Sequence, residues 1–167
     1  MKTQLTPQQA QLRLESLCAR GEQCEADLRE KLRRWGICSN ETEKIIANLR
    51  KDNYFDPERY CRAYTREKFR FNRWGRVKIR LMLAQKRIPA EIIDTALEEE
   101  ITPQAYTQTL LELLRGKARA LTTAQQKQPL AALAAFAASR GFETDLAFTA
   151  ARQALNNDAD ESETMDT

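Results

Sequence analysis

Seven arginines carry the most pointed chemistry in this chain. Arg59, Arg62, Arg66, Arg70 and Arg73 follow one another at steps of three and four. At 100° per residue a helix places all five within an arc of about 80°, and puts Tyr60, Tyr64 and Phe71 on another arc well over 100° away. The expected helix packs through its aromatics and shows a ladder of guanidinium groups. Arg76 and Arg80, with Arg87 beyond, form a second stripe on a following helix whose Ile79, Met82 and Leu83 are expected to face inward. From Glu58 to Arg87 there are eleven Lys or Arg and two acids, a net of +9. Like charges one turn apart destabilise an isolated helix by roughly 0.2–0.5 kcal/mol per pair. A merely solvated face would intersperse Glu, and in the ladder only Glu67 interrupts. The guanidinium is a planar fork that grips carboxylates and phosphates bidentately and stays charged when partly desolvated. These seven arginines are therefore the candidate binding surface, for DNA phosphates, an acidic protein groove, or both.

Other chemistries find little support. The chain has no His, so the usual acid–base residue is missing. No Gly-rich phosphate loop appears. Cys18, Cys24, Cys38 and Cys61 are separated by 6, 14 and 23 positions, with no C-x-x-C pair. A zinc site would need all four thiolates at unusual spacing; ordinary buried thiols in a reducing compartment are the expectation. Asp52 and Asp56 suit caps and turns better than a carboxylate dyad. No enzyme, no metal and no cofactor is expected.

The elements that must position the ladder are helices. Gly and Pro are scarce, at 5 each among 167 residues, and Ala, Leu, Glu, Arg, Lys and Gln, all good helix formers, dominate. No two-residue alternation of β-branched residues appears, so no strands are expected. Net charge is +3, but Asn156–Thr167 holds five acids and no Lys or Arg, leaving 27 basic against 19 acidic residues elsewhere, a net of +8. This stretch is expected to be a disordered acidic tail, and a basic body suggests an anionic partner. The N-terminus lacks the apolar core of a signal peptide, and no apolar run approaches membrane-spanning length. A cytoplasmic protein with no membrane partner is expected.

The chain also repeats itself with a period near fifty. One copy reads Leu28-x-x-x-Leu32-x-x-x-Gly36-Ile37, then Ile45-Ile46 and Leu49. The next reads Ile79-x-x-x-Leu83-x-x-x-Arg87-Ile88, then Ile92-Ile93 and Ala96-Leu97. The last reads Leu133-x-x-x-Ala137-x-x-x-Gly141-Phe142, then Leu146 and Ala150. Thr6-Pro7, Asp56-Pro57 and Thr102-Pro103 each pair a capping side chain with Pro at the first helical position. Asn40-x-x-Glu43 reads as a capping box. Gly36 and Gly141 suit the left-handed residue that ends a helix, and Arg87 in that place implies a turn that is strained or differently shaped. The expected fold is all-α: three tandem three-helix repeats at 6–52, 53–100 and 101–155, forming an elongated curved array, with 156–167 as the tail. A unit of about fifty residues is marginal alone, so stacking should bury the remaining faces. Trp35 and Trp74 are expected to be core or inter-repeat anchors, and the array a monomer.

These fragments, in this order and spacing, resemble the RecX family of recombination regulators. The likeness centres on Tyr54-Phe55-Asp56-Pro57-Glu58-Arg59-Tyr60. It extends to Trp74-Gly75 with Ile79, Leu83, Lys86 and Ile88, to Leu28-Arg29-Glu30-Lys31-Leu32 with Gly36, and to Arg140-Gly141-Phe142. Arg87 stands where the family usually has Gly, and Pro57 where it usually has a second acid. The resemblance implies a fold of three tandem three-helix units. It also implies binding in the groove of the RecA filament on single- or double-stranded DNA, with inhibition of ATP hydrolysis, strand exchange and filament growth. The rival reading is a helix-turn-helix-like DNA-binding regulator acting without RecA. In such modules the third helix enters the major groove, whereas the third helix of the middle copy carries Glu91 and Asp94, followed by Glu98 to Glu100, which phosphates would repel.

Overall fold

The computed structural model describes residues 5–163 of the chain. Among these residues the order is α1 (Pro7–Arg20), α2 (Glu25–Arg34), α3 (Ser39–Lys51), α4 (Pro57–Arg70), α5 (Arg76–Gln85), α6 (Ala90–Glu100), α7 (Pro103–Arg119), a 3₁₀ turn (Gln125–Lys127), α8 (Pro129–Ser139) and α9 (Thr144–Glu163), with no strand. The backbone of α9 continues to Glu163, through most of the stretch expected as a tail; 164–167 lie outside the described residues. No described helix is long and apolar enough to cross a membrane.

The starts of three helices follow from local chemistry. Thr6 accepts from the Gln9 amide while Gln9 Oε1 accepts from the Thr6 amide, a closed capping box ahead of Pro7. Asp56 Oδ1 accepts from the Arg59 amide at 2.9 Å, and Thr102 Oγ1 from the Ala105 amide at 3.2 Å. Each satisfies a donor that the first helical turn leaves without a backbone partner. The box expected at Asn40–Glu43 does not form. α3 begins at Ser39 behind Cys38, with no side-chain cap, and the Glu43 carboxylate is taken by Arg29 at 2.6 Å.

The turns after α2 and α8 share one hydrogen-bond pattern. The Ile37 amide donates to Leu32 O and the Phe142 amide to Ala137 O, both at 3.1 Å. Gly36 (φ +77) and Gly141 (φ +90) supply the left-handed residue this closure requires. Arg87 takes the same conformation at φ +59 without being glycine, so the middle turn carries backbone strain, as expected.

The helices gather into two units, one of residues up to Tyr64 with Met82–Ala96, the other of Thr65–Leu81 with Leu97 onward. In the first, Ala10, Leu14, Leu28, Leu32, Ile45, Ile46, Leu49 and Phe55 form the core, and Leu17, Cys18, Trp35, Ile37 and Tyr54 pack against it. Trp35 is thus a partly buried core residue. In the second, Tyr106, Leu110 and Leu114 of α7 and Leu133, Ala134 and Ala137 of α8 are buried. Ala147, Ala150, Ala151 and Ala154 line the buried side of α9 at helical spacing, and small side chains there let backbones approach closely. Leu146, expected inside, is 38% exposed; its neighbour Ala147 takes the inward position.

Candidate functional site

In the first unit, Arg59 donates from Nε to Glu22 Oε1 and from Nη2 to Asn53 O, each at 3.1 Å. Arg62 lies 3.6 Å from Glu58, one turn back. In the second unit, Arg66 donates twice to Glu100, at 2.9 and 2.7 Å. Arg73 stands 3.6 Å from Glu112. Arg70 is exposed and makes no ion pair among the described residues. Arg80 is exposed too. The ladder is therefore built from exposed or half-exposed guanidinium groups, several of which rest on the protein's own carboxylates. Pairs exposed on both sides, Arg62–Glu58 and Arg73–Glu112, are worth roughly 0–1 kcal/mol, so a phosphate or a partner's carboxylate can compete for those cations.

Arg76 has a different setting. Its backbone amide donates to the Tyr106 hydroxyl at 3.0 Å, which donates to Glu143 Oε2 at 2.6 Å. The guanidinium lies 3.9 Å from the Tyr106 ring centroid and 4.0 Å from the Glu143 carboxylate. Burial, reinforced by the Glu143 carboxylate, pushes the Tyr106 hydroxyl above its ordinary range. Arg76 is thus bound into a half-buried cluster that ties the start of α5 to α7 and the α8–α9 turn.

Phe71 corrects the expected inward arc. It is 82% exposed, while Tyr60, Cys61, Thr65 and Phe69 are the buried residues of α4. The Phe71 amide still donates to Glu67 O at 3.0 Å, but the residue stands just past the end of α4, where its ring is left uncovered. Arg73 turns left-handed at φ +54, and the Trp74 amide folds back onto Lys68 O at 3.0 Å. Met82, also expected inside, is half-buried. Trp74 is half-buried, with the Lys68 and Lys78 ammonium groups 5.4 and 4.3 Å from its ring. The exposed aromatic beside the cations was missed; Asn72, a turn-favouring residue after a helical run, was the available signal, although the left-handed residue is Arg73.

The turn bearing these residues is held rigidly within the second unit. The Gly75 amide donates to Arg140 O at 2.8 Å and the Val77 amide to Gly141 O at 3.0 Å. A Cβ on Gly75 would lie 2.2 Å from Gly141 O, and one on Gly141 2.2 Å from Lys78 Cβ. Two glycines let two turns touch through their backbones.

Cys24 and Cys61 are buried, Cys18 is half-buried, and Cys38, against expectation, is exposed at the start of α3. Burial raises the Cys61 thiol to about 11. No group of three potential metal ligands is found among the described residues.

Helices alone, with an arginine-rich middle segment between capped repeats, define an all-α helical-repeat protein. Comparison with known proteins says which. A family profile described as the RecX second three-helix domain matches residues 56–97. The regulatory protein RecX of Chlorobaculum tepidum is 31% identical over 144 residues, covering 84% of this chain and 85% of that protein. The regulatory protein RecX of Clostridium acetobutylicum is 37% identical over 75 residues, 45% of this chain but only 34% of that relative's length. A crystal structure of RecX from Lactobacillus salivarius superposes with a TM-score of 0.72 at 17% identity, covering 89% of this chain and 96% of that one. A second RecX crystal structure gives 0.67 at 22% identity, covering 84% and 70%. The chain belongs to the RecX family of regulatory proteins.

Proposed function

We propose that this chain is a non-enzymatic, cytoplasmic negative regulator of the RecA recombinase. It acts as a monomer of three tandem three-helix repeats, at 6–52, 53–100 and 101–155. It binds in the groove of the RecA–DNA filament and restrains ATP hydrolysis, strand exchange and filament growth. The observation that carries the reading is the exposed arginine row of α4 and the turn after it, in a chain of this family. Arg59, Arg62, Arg66, Arg70, Arg73 and Arg80 supply the contacts, and Arg76 steadies the start of α5 beneath them. Their own acid partners are weak enough to be exchanged for a polyanion.

A helix-turn-helix reading fares worse on the same helices. Glu91, Asp94, Glu98 and Glu99 are all exposed on α6, so the helix that would enter a major groove presents negative charge to phosphates.

The test is a triple reversal of Arg66, Arg70 and Arg73 to Glu. It is expected to abolish restraint of RecA strand exchange while leaving the helical circular-dichroism signal unchanged. Full restraint by a folded triple variant would overturn the assignment.

A further inference from the structure

Phe71 is the largest apolar side chain the described fold leaves uncovered, at 82% exposure. Single exposed apolar residues are common and by themselves mean little. This one sits among cations: residues 66–80 hold seven Lys or Arg against one acid. Its immediate neighbours Arg70, Asn72 and Arg73 are exposed as well. The turn that presents it is pinned at both ends, by Phe71 N–H to Glu67 O at 3.0 Å and by Gly75 N–H to Arg140 O at 2.8 Å. Arg140 also reaches Asn72 O at 3.4 Å. A turn whose backbone is already fixed loses less freedom on contact than a mobile loop would, and only the ring's own rotamers remain to be ordered.

The pairing of an exposed ring with cations favours nucleic acid over an acidic protein surface as the occupant. The amides at the start of α5, which a phosphate would otherwise seek, are already committed to Arg140 O, the Tyr106 hydroxyl and Gly141 O. Phosphate contact must then fall to flexible guanidinium groups, and Arg70 stands next to the ring without an ion pair among the described residues. An aromatic face bordered by cations is the arrangement that holds unstacked bases while tracking their backbone. Duplex DNA keeps its bases stacked and offers no such face.

We propose that Phe71 is a base-stacking platform for single-stranded nucleic acid, with Arg70 and Arg73 on the flanking phosphates. The inference rests on the regulator reading and makes it specific: the basic turn grips the unpaired strand itself.

The test uses the full chain and a short fluorescein-labelled oligothymidylate, with a duplex and an abasic strand of equal phosphate number beside it. Phe71→Ala is expected to weaken the oligothymidylate roughly five- to hundredfold, the range a stacked base accounts for. Phe71→Trp should retain binding. The abasic strand and the duplex should bind wild type and Phe71→Ala alike. Because the ring is exposed, the alanine variant should unfold at the wild-type temperature. Equal oligothymidylate binding by wild type and Phe71→Ala overturns the proposal. So does a Phe71→Ala protein that grips the strand normally but loses the RecA filament, since the contact would then be with protein. The two readings fail separately. A Phe71→Ala chain that binds the strand and restrains RecA normally removes the stacking alone. A wild type that stacks through Phe71 yet leaves RecA ATP hydrolysis untouched removes the regulator reading alone.

Discussion

Arg66 grips Glu100 with two hydrogen bonds, Nε to Oε2 at 2.9 Å and Nη2 to Oε1 at 2.7 Å. The arginine is half exposed and the glutamate nearly covered, at 48% and 11%. A carboxylate held so close to the middle of the ladder cancels one positive charge until a polyanion displaces it. Glu100→Gln is therefore expected to tighten binding to DNA and to steepen the dependence of log affinity on log salt by about one. The same change should cost on the order of 1 kcal/mol of stability, because the pair is bidentate and its carboxylate is nearly covered while the arginine stays half exposed. A salt titration by fluorescence anisotropy checks both; an unchanged slope would mean that Glu100 does not mask a phosphate-contacting cation.

Gly75 and Gly141 meet backbone to backbone, so the space for a Cβ is missing. Gly75→Ala should destabilise the protein by about 3 kcal/mol or more, since the opposing atoms are main chain and cannot swing aside. Gly116 offers the contrast: it lies within α7 with nothing within 4 Å of a built Cβ. Gly116→Ala should stabilise by about 0.5–1 kcal/mol through helix propensity. Urea unfolding of the two variants should move in opposite directions.

Arg87 sits at φ +59 where the corresponding turns have glycine. A left-handed L-residue carries a cost of roughly 1–2 kcal/mol, which Gly avoids while adding some unfolded-state entropy. Arg87→Gly should raise the thermal midpoint by a few degrees, corresponding to about 0.5–1 kcal/mol. A lowered midpoint would show that the Arg87 side chain contributes more than its backbone strain removes.

The acid side of the stability curve should be set partly by α2. Hydrogen bonds from Arg33 and then Arg34 hold the Glu30 carboxyl down to about 2, against an ordinary 4.5. Glu43 is lowered by Arg29. Burial opposes ionisation of Glu25, but hydrogen bonds from Arg29 and Arg50 outweigh it, and its carboxyl is lowered too. Groups depressed in the folded state contribute stability that is complete above the unfolded value and lost as pH falls through the folded one. Unfolding midpoints should thus decline as pH drops from about 4.5 towards 2, and Glu30→Gln should make that decline shallower. A decline unaltered in Glu30→Gln would place the acid sensitivity elsewhere.

The parts of this fold that could be read from sequence are those decided within one turn of helix. Thr6, Asp56 and Thr102 ahead of proline announce helix starts because cap and amide lie three residues apart. Leu28, Leu32, Ile79, Leu83, Leu133 and Ala137 recur at helical spacing and are all fully buried. What stayed hidden depends on distant partners or on where a helix stops. Arg59 and Glu22 are 37 residues apart, and Arg66 and Glu100 are 34 apart. No periodicity could match those cations to those acids. Glu43 looked like half of a local capping box until Arg29, 14 residues away, claimed it. Phe71 shares an arc with Tyr60 and Tyr64, but it stands just past the end of α4 with its ring 82% exposed, which a periodicity cannot foresee.

The most direct check on the central claim is RecA ATP hydrolysis on single-stranded DNA, measured with and without this protein over a range of salt concentrations. The expected result is a dose-dependent fall in rate that weakens as salt rises, because contacts through guanidinium groups displace counterions. An unchanged rate at every dose would contradict the account of this chain as a regulator of RecA.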